Sequence, residues 1–135
     1  MTRIEFYILD SDTTEERLAC VQRLVMQTLS RGKSIHIHTG CATETRQIIR
    51  QFQHLQEADD ITIDHKGLPA QDINVLVNMS AEVPFFFSRF ETTIEVVHDD
   101  TQTRELGRER YRYYQERGYP LFHNKVVQEA QLELV

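Results

Sequence analysis

The sequence predicts a three-layer α/β domain, a mainly parallel sheet flanked by helices, and three observations carry that prediction. Strand-like and helix-like segments alternate from the N-terminus onward. The run Ile73 to Met79 is apolar nearly throughout, as expected of a strand covered on both faces. The first helical segment is bracketed by a capping box, Thr13-x-x-Glu16, and by Gly32 as a C′ residue.

In order, Ile4 to Leu9 is rich in β-formers and stops at Asp10-Ser11-Asp12, which reads as a first strand. The helix after it carries Leu18, Val21, Val25 and Leu29 as an apolar stripe. A second strand follows at Ser34 to Thr39. A second helix runs from Thr43 to about Gln56, with Ile48, Ile49, Phe52 and Leu55 on its inner face. Ile61-Thr62-Ile63 reads as a short strand before the turn Lys66 to Pro69, and the central strand Ile73 to Met79 comes next. Pro84 opens a short helix carrying Phe85, Phe86, Phe87 and Phe90, and Thr92 to His98 forms a last strand. Asp99 and Asp100 cap a C-terminal helix that Gly118 and Pro120 terminate. The expected organisation is one domain over residues 1–122 and a C-terminal extension over 123–135.

At 135 residues, with 40% hydrophobic and 27% charged residues, the chain has the composition of an ordinary globular domain able to bury a core unaided. The N-terminus lacks the pattern of a secretory signal, and the longest apolar runs fall short of a membrane span. Cys20 and Cys41 are isolated thiols that match no disulfide framework or zinc motif. These features predict a cytoplasmic protein with no membrane partner. A net charge of −6 argues against broad nucleic-acid binding, which depends on neutralising phosphates with many cations.

Five glycines form neither G-x-G-x-x-G nor a phosphate loop, so no dinucleotide or triphosphate cofactor is expected. Asp10 and Asp12 stand where a receiver domain or a phosphoryl-transfer enzyme places Mg²⁺ ligands. The acceptor Asp and the Lys that such a site needs are absent from the corresponding strand ends, which carry Met79-Ser80 and His98-Asp99. Helix capping is the plainer role for the two aspartates, and metal-dependent phosphoryl transfer is the alternative function. His36 and His38 share one face of their strand but lack a third metal ligand. No metal and no catalytic residue is assigned. The four Phe rings between Phe85 and Phe90 plug one end of the sheet, or else one of them is covered by a partner.

The last helix holds the sharpest pattern. Arg104, Arg108 and Arg112 recur every four residues with Tyr111 among them, which puts three guanidiniums and a ring on one side of a helix. A solvated face with charge pairs to Glu105 or Glu109 is the ordinary explanation. Like charges at this spacing repel, however, so folding gains nothing from them. Guanidiniums around an aromatic suit an acidic peptide that ends in a ring and a free carboxylate.

Three segments carry a family resemblance: Phe6-Tyr7-Ile8-Leu9-Asp10-Ser11-Asp12, then Val75 to Ser80 running into Val83 to Phe90 and Ile94 to Val97, then Gly107 to Tyr119. On these the sequence resembles the chi subunit of the bacterial DNA polymerase III holoenzyme. The resemblance spans nearly the whole domain in order. It implies a non-catalytic Rossmann-like adaptor in the clamp-loader complex, with two partners: the psi subunit, and the acidic C-terminal tail of the single-stranded-DNA-binding protein. DNA would be reached only through that protein. By similarity the tail-binding positions are Arg104, Arg108, Tyr111 and Arg112. The chain has no Trp, whereas family members often carry one near the end of the second helix and one where Tyr111 stands. Leu55 and Ile61 are expected to supply the missing apolar wall.

Overall fold

A computed structural model of the chain describes residues 1–53, 58–70 and 72–126. Among the described residues, six strands and three α-helices follow one another as β1 (Arg3–Leu9), α1 (Thr14–Ser30), β2 (Ile35–His38), α2 (Ala42–Gln51), β3 (Ile61–Asp64), β4 (Val75–Asn78), β5 (Thr92–Val97), α3 (Thr101–Glu116) and β6 (Leu121–Val126). The strands form one sheet in the order β3-β2-β4-β5-β1-β6, and every neighbouring pair is parallel. The three-layer Rossmann-like architecture is therefore as expected, with a sheet that is wholly parallel. No helix among the described residues is long and apolar enough to cross a membrane.

Alternation along each strand sorts the core into two halves. Leu9, Ile35, Ile37, Val75, Val77, Ile94 and Val96 meet Cys20, Val21, Leu24 and Val25 of α1 and Ile48 of α2 on one face. Ile4, Phe6, Leu76 and Val97 meet Tyr114 of α3 and the rings Phe86, Phe87 and Phe90 on the other. β4 and β5 touch both halves and are buried almost throughout, which explains the near-continuous apolar sequence of β4.

The helix ends follow the local chemistry. The Thr13 hydroxyl accepts from the Glu16 amide at 3.2 Å, while the Thr13 amide is satisfied by the Ser11 hydroxyl at 3.2 Å. At the other end of α1, Gly32 takes φ +72°, its amide reaches the Leu29 carbonyl at 2.9 Å and the Lys33 amide reaches Thr28 at 3.2 Å. That double closure requires a left-handed residue, hence glycine.

Four expectations need correction. α2 ends at Gln51, with Phe52 capping it, and Ile49 lies 45% exposed while Ile48 and Phe52 are buried. Ile48 and Ile49 point about 100° apart on a helix, so only one can face the sheet squarely. The Phe-rich segment forms only a three-residue 3₁₀ turn, Phe87–Arg89, closed by i+3 bonds from Phe87 to Pro84 and from Arg89 to Phe86. The Ile73 and Met79 ends of the central apolar run lie outside β4. Finally, the boundary at residue 122 falls inside β6, which continues to Val126 and pairs with β1 along its length. β6 is an edge strand that starts after Pro120 and buries little of its surface, so its apolar signal is faint.

Candidate functional site

Helix α3 starts at Asp100, whose carboxylate accepts from the Thr103 amide at 3.1 Å and the Thr103 hydroxyl at 2.9 Å. Asp99, expected to share the capping role, instead pairs with Arg104 at 3.0 Å. The helix buries Gly107, Arg110 and Tyr114. A methyl on Gly107 would stand 3.2 and 3.3 Å from the two Cγ atoms of Val97, so the absent side chain is what lets α3 lie this close to β5.

A charged group holds the buried face together. Glu95 is completely buried in β5, and its carboxylate accepts from Arg110 Nε at 2.9 Å, from the Tyr114 hydroxyl at 2.6 Å and from Asn78 Nδ2 at 3.0 Å. Arg110 Nη1 also donates to the Ala81 carbonyl at 3.0 Å. Burial pushes the Glu95 carboxyl up, against the opposing pull of the Arg110 guanidinium and the donated hydrogen bonds. Burial likewise raises Tyr114, and the Glu95 charge beside it adds to the effect. Sequence reasoning passed over this network. Its trace was Glu95 itself, a carboxylate inside a strand otherwise made of β-branched residues, which needs a buried partner.

Above Gly107 the helix and sheet diverge into a notch of about 350 Å³. Phe6, Ile8 and Val97 give it an apolar floor, Arg104, Arg108 and Tyr111 form the helical side, and His123 of β6 contributes from across. Tyr111 is half-buried, with its ring edge-on to Phe6 at 5.4 Å and stacked on His123 at 5.1 Å. Arg108 and Arg112 are exposed, and neither forms an ion pair among the described residues. Three of the four residues singled out on this helix thus meet around one opening. Arg112 does not line it, because two i+4 steps carry a side chain about 80° around the helix from Arg104. His123 went unnoticed in the sequence because its strand did.

Ile61, expected to form part of an apolar wall, does not line the notch. Ile61 lies on β3, three strands from β5 in the sheet order, roughly 14 Å away, and packs into the core on the α1 side. Strand order and side-chain alternation both separate it from the notch. Leu55 lies outside the described residues. The apolar residues lining the notch are Phe6, Ile8 and Val97.

The remaining candidates sit apart. Asp10 and Asp12 are exposed, and no group of three His, Cys, Asp or Glu among the described residues is arranged to hold a metal ion. His36 and His38 do share a face, with ring centres 6.5 Å apart. His36 is bonded to the Thr62 hydroxyl at 2.6 Å and packs edge-on to Phe86, and burial lowers it to about 4. Cys41 is the exposed N-cap residue of α2 and makes no side-chain capping bond. Of the four rings, Phe86, Phe87 and Phe90 are buried, and Phe85 stands 77% exposed.

The chain is 27% identical over 136 residues to the DNA polymerase III subunit chi of Pseudomonas aeruginosa, a match covering 90% of this chain and 94% of that protein. The sequence pattern of the family described as DNA polymerase III chi subunit, HolC, matches residues 49–122, a span that takes in β3, β4, β5 and the whole of α3. The chain belongs to the DNA polymerase III chi subunit family.

Proposed function

We propose that this accessory subunit links the psi subunit of the polymerase to the acidic C-terminal tail of the single-stranded-DNA-binding protein, and that it does so without an active site of its own. It would act in the cytoplasm as part of the replication machinery and reach DNA only through that protein. The observation that carries the reading is the notch, an apolar floor beneath two guanidiniums and a tyrosine in a chain whose net charge is −6. The tail's terminal Phe enters over Phe6, Ile8 and Val97, and its carboxylates meet Arg104 and Arg108. Arg112, further round the helix, attracts the tail without lining the notch. The link to psi rests on family membership.

A short disordered tail must be ordered when it binds, so the affinity is modest, on the order of micromolar or about −8 kcal/mol. Calorimetric titration of the tail peptide tests the reading. Binding should weaken when Arg108 is replaced by Ala, and again when the peptide lacks its terminal Phe. Equal heats for wild type and Arg108→Ala would remove the guanidinium from the role. Undiminished binding of the shortened peptide would remove the notch. Loss of psi co-purification is not expected from Arg108→Ala, since the variant leaves the rest of the surface intact.

A further inference from the structure

We propose that β6 forms a second basic wall of the notch, with His123 and Lys125 facing Arg104 and Arg108 across the opening and binding the acidic residues that precede the docked terminal ring. This rests on the reading of the notch as the seat of an acidic segment.

The pairing register carries the inference. His123 is the partner of Phe6 and Lys125 the partner of Ile8, and Phe6 and Ile8 are two of the three floor residues. On β6, Leu121 packs with the α3-side core and Val126 with the α1-side core, so residues 121, 123 and 125 face α3. His123 and Lys125 therefore stand about 7 Å apart along the strand, on the notch side. The stacking of His123 on Tyr111 ties this strand to the helical wall. Lys125 is exposed and forms no ion pair among the described residues, whereas Arg104 already shares its charge with Asp99. An extended acidic segment leaving the notch past Ile8 thus passes between cations from α3 and from β6.

Fluorescence anisotropy with two synthetic probes separates this wall from the notch itself: the acidic tail peptide, and the same peptide with every side-chain carboxylate replaced by its amide. At low salt, Lys125→Gln should weaken the acidic probe two- to fivefold, the range of an exposed charge pair, and leave the amide probe unchanged. Combining it with His123→Gln should deepen that loss. If the double variant binds the acidic probe like wild type while Arg108→Ala is weakened, the β6 wall is wrong and the notch stands. If the double variant weakens both probes alike, the residues act through the shape of the notch and the proposal also fails. Unchanged binding in all three variants would overturn the wall and the notch together.

Discussion

Replacing Arg110 with Met tests whether α3 is positioned by its buried charge. The substitution keeps much of the side-chain volume but removes the 2.9 Å bond to Glu95 and the 3.0 Å bond to the Ala81 carbonyl. Glu95 is fully buried and keeps only the Tyr114 hydroxyl and Asn78 as donors. Breaking a buried pair from one side costs about 3–5 kcal/mol, because the remaining charge loses its counter-charge where no water can replace it. Against a total stability of roughly 5–15 kcal/mol, that loss is large enough to read in a urea titration.

The pH dependence gives the prediction its sign. Burial already raises the Glu95 carboxyl above its unfolded value of about 4.3, and losing the guanidinium raises it further. A group raised on folding contributes fully below its unfolded pKa, and that contribution is lost as pH rises through the folded pKa. The deficit of Arg110→Met should therefore be smaller at pH 5 than at pH 8, and adding Glu95→Gln should recover part of it at pH 8. A deficit under about 1 kcal/mol, or one that grows toward pH 5, would refute the reasoning, since either result means Glu95 does not depend on Arg110 for its charge.

Arg108→Ala should weaken tail binding about fivefold, on the order of 1 kcal/mol, and Arg104→Ala should weaken it less, because Asp99 already offsets that charge at 3.0 Å; peptide titrations at low and high salt would check both the order and the screening. Phe87→Ala should cost about 3–5 kcal/mol, since the ring is buried against Tyr113, Tyr114 and Tyr119, whereas Phe85→Ala should stay within about 0.5 kcal/mol, as paired denaturation curves would show. His36, lowered to about 4 by burial, holds a neutral ring that the unfolded chain protonates near pH 6.5. Its contribution is present above pH 6.5 and lost as pH falls toward 4, by up to about 3 kcal/mol, and His36→Gln should flatten that part of the stability profile.

Elements with strong local signals were legible in the sequence. Gly32 and Thr13 mark their helix ends by conformational freedom and by a hydroxyl, and β4 announces itself by being apolar on both faces. What stayed hidden depends on partners distant in the chain. β6 buries little surface of its own and becomes a strand only because β1 offers a free edge. The floor of the notch draws Phe6 and Ile8 from β1 and Val97 from β5, residues readable as core but not as neighbours of Arg108. Ile61 shows the same limit from the other side: its apolar character was plain, but its place at the far edge of the sheet follows only from strand order.

The four arginines Arg104, Arg108, Arg110 and Arg112 also show why spacing alone could not divide the labour of α3. At about 100° per residue, Arg110 points about 120° from Arg104 and about 160° from Arg108 and Arg112, beside Tyr114 and Gly107 on the buried side. Tyr111 comes next around the helix, at the lip of the notch, followed by Arg104 and Arg108 on its rim and Arg112 in solvent. The helix can present cations to an acidic partner because one guanidinium is spent inside on Glu95, where it clamps α3 to β5 and to the loop at Ala81. Gly107 then sets how near the helix lies to Val97, and so how deep the notch is. Anchor and proposed docking surface are thus successive faces of one helix. It follows that a substitution at Arg110 should lower tail affinity through the position of α3, even in molecules that remain folded.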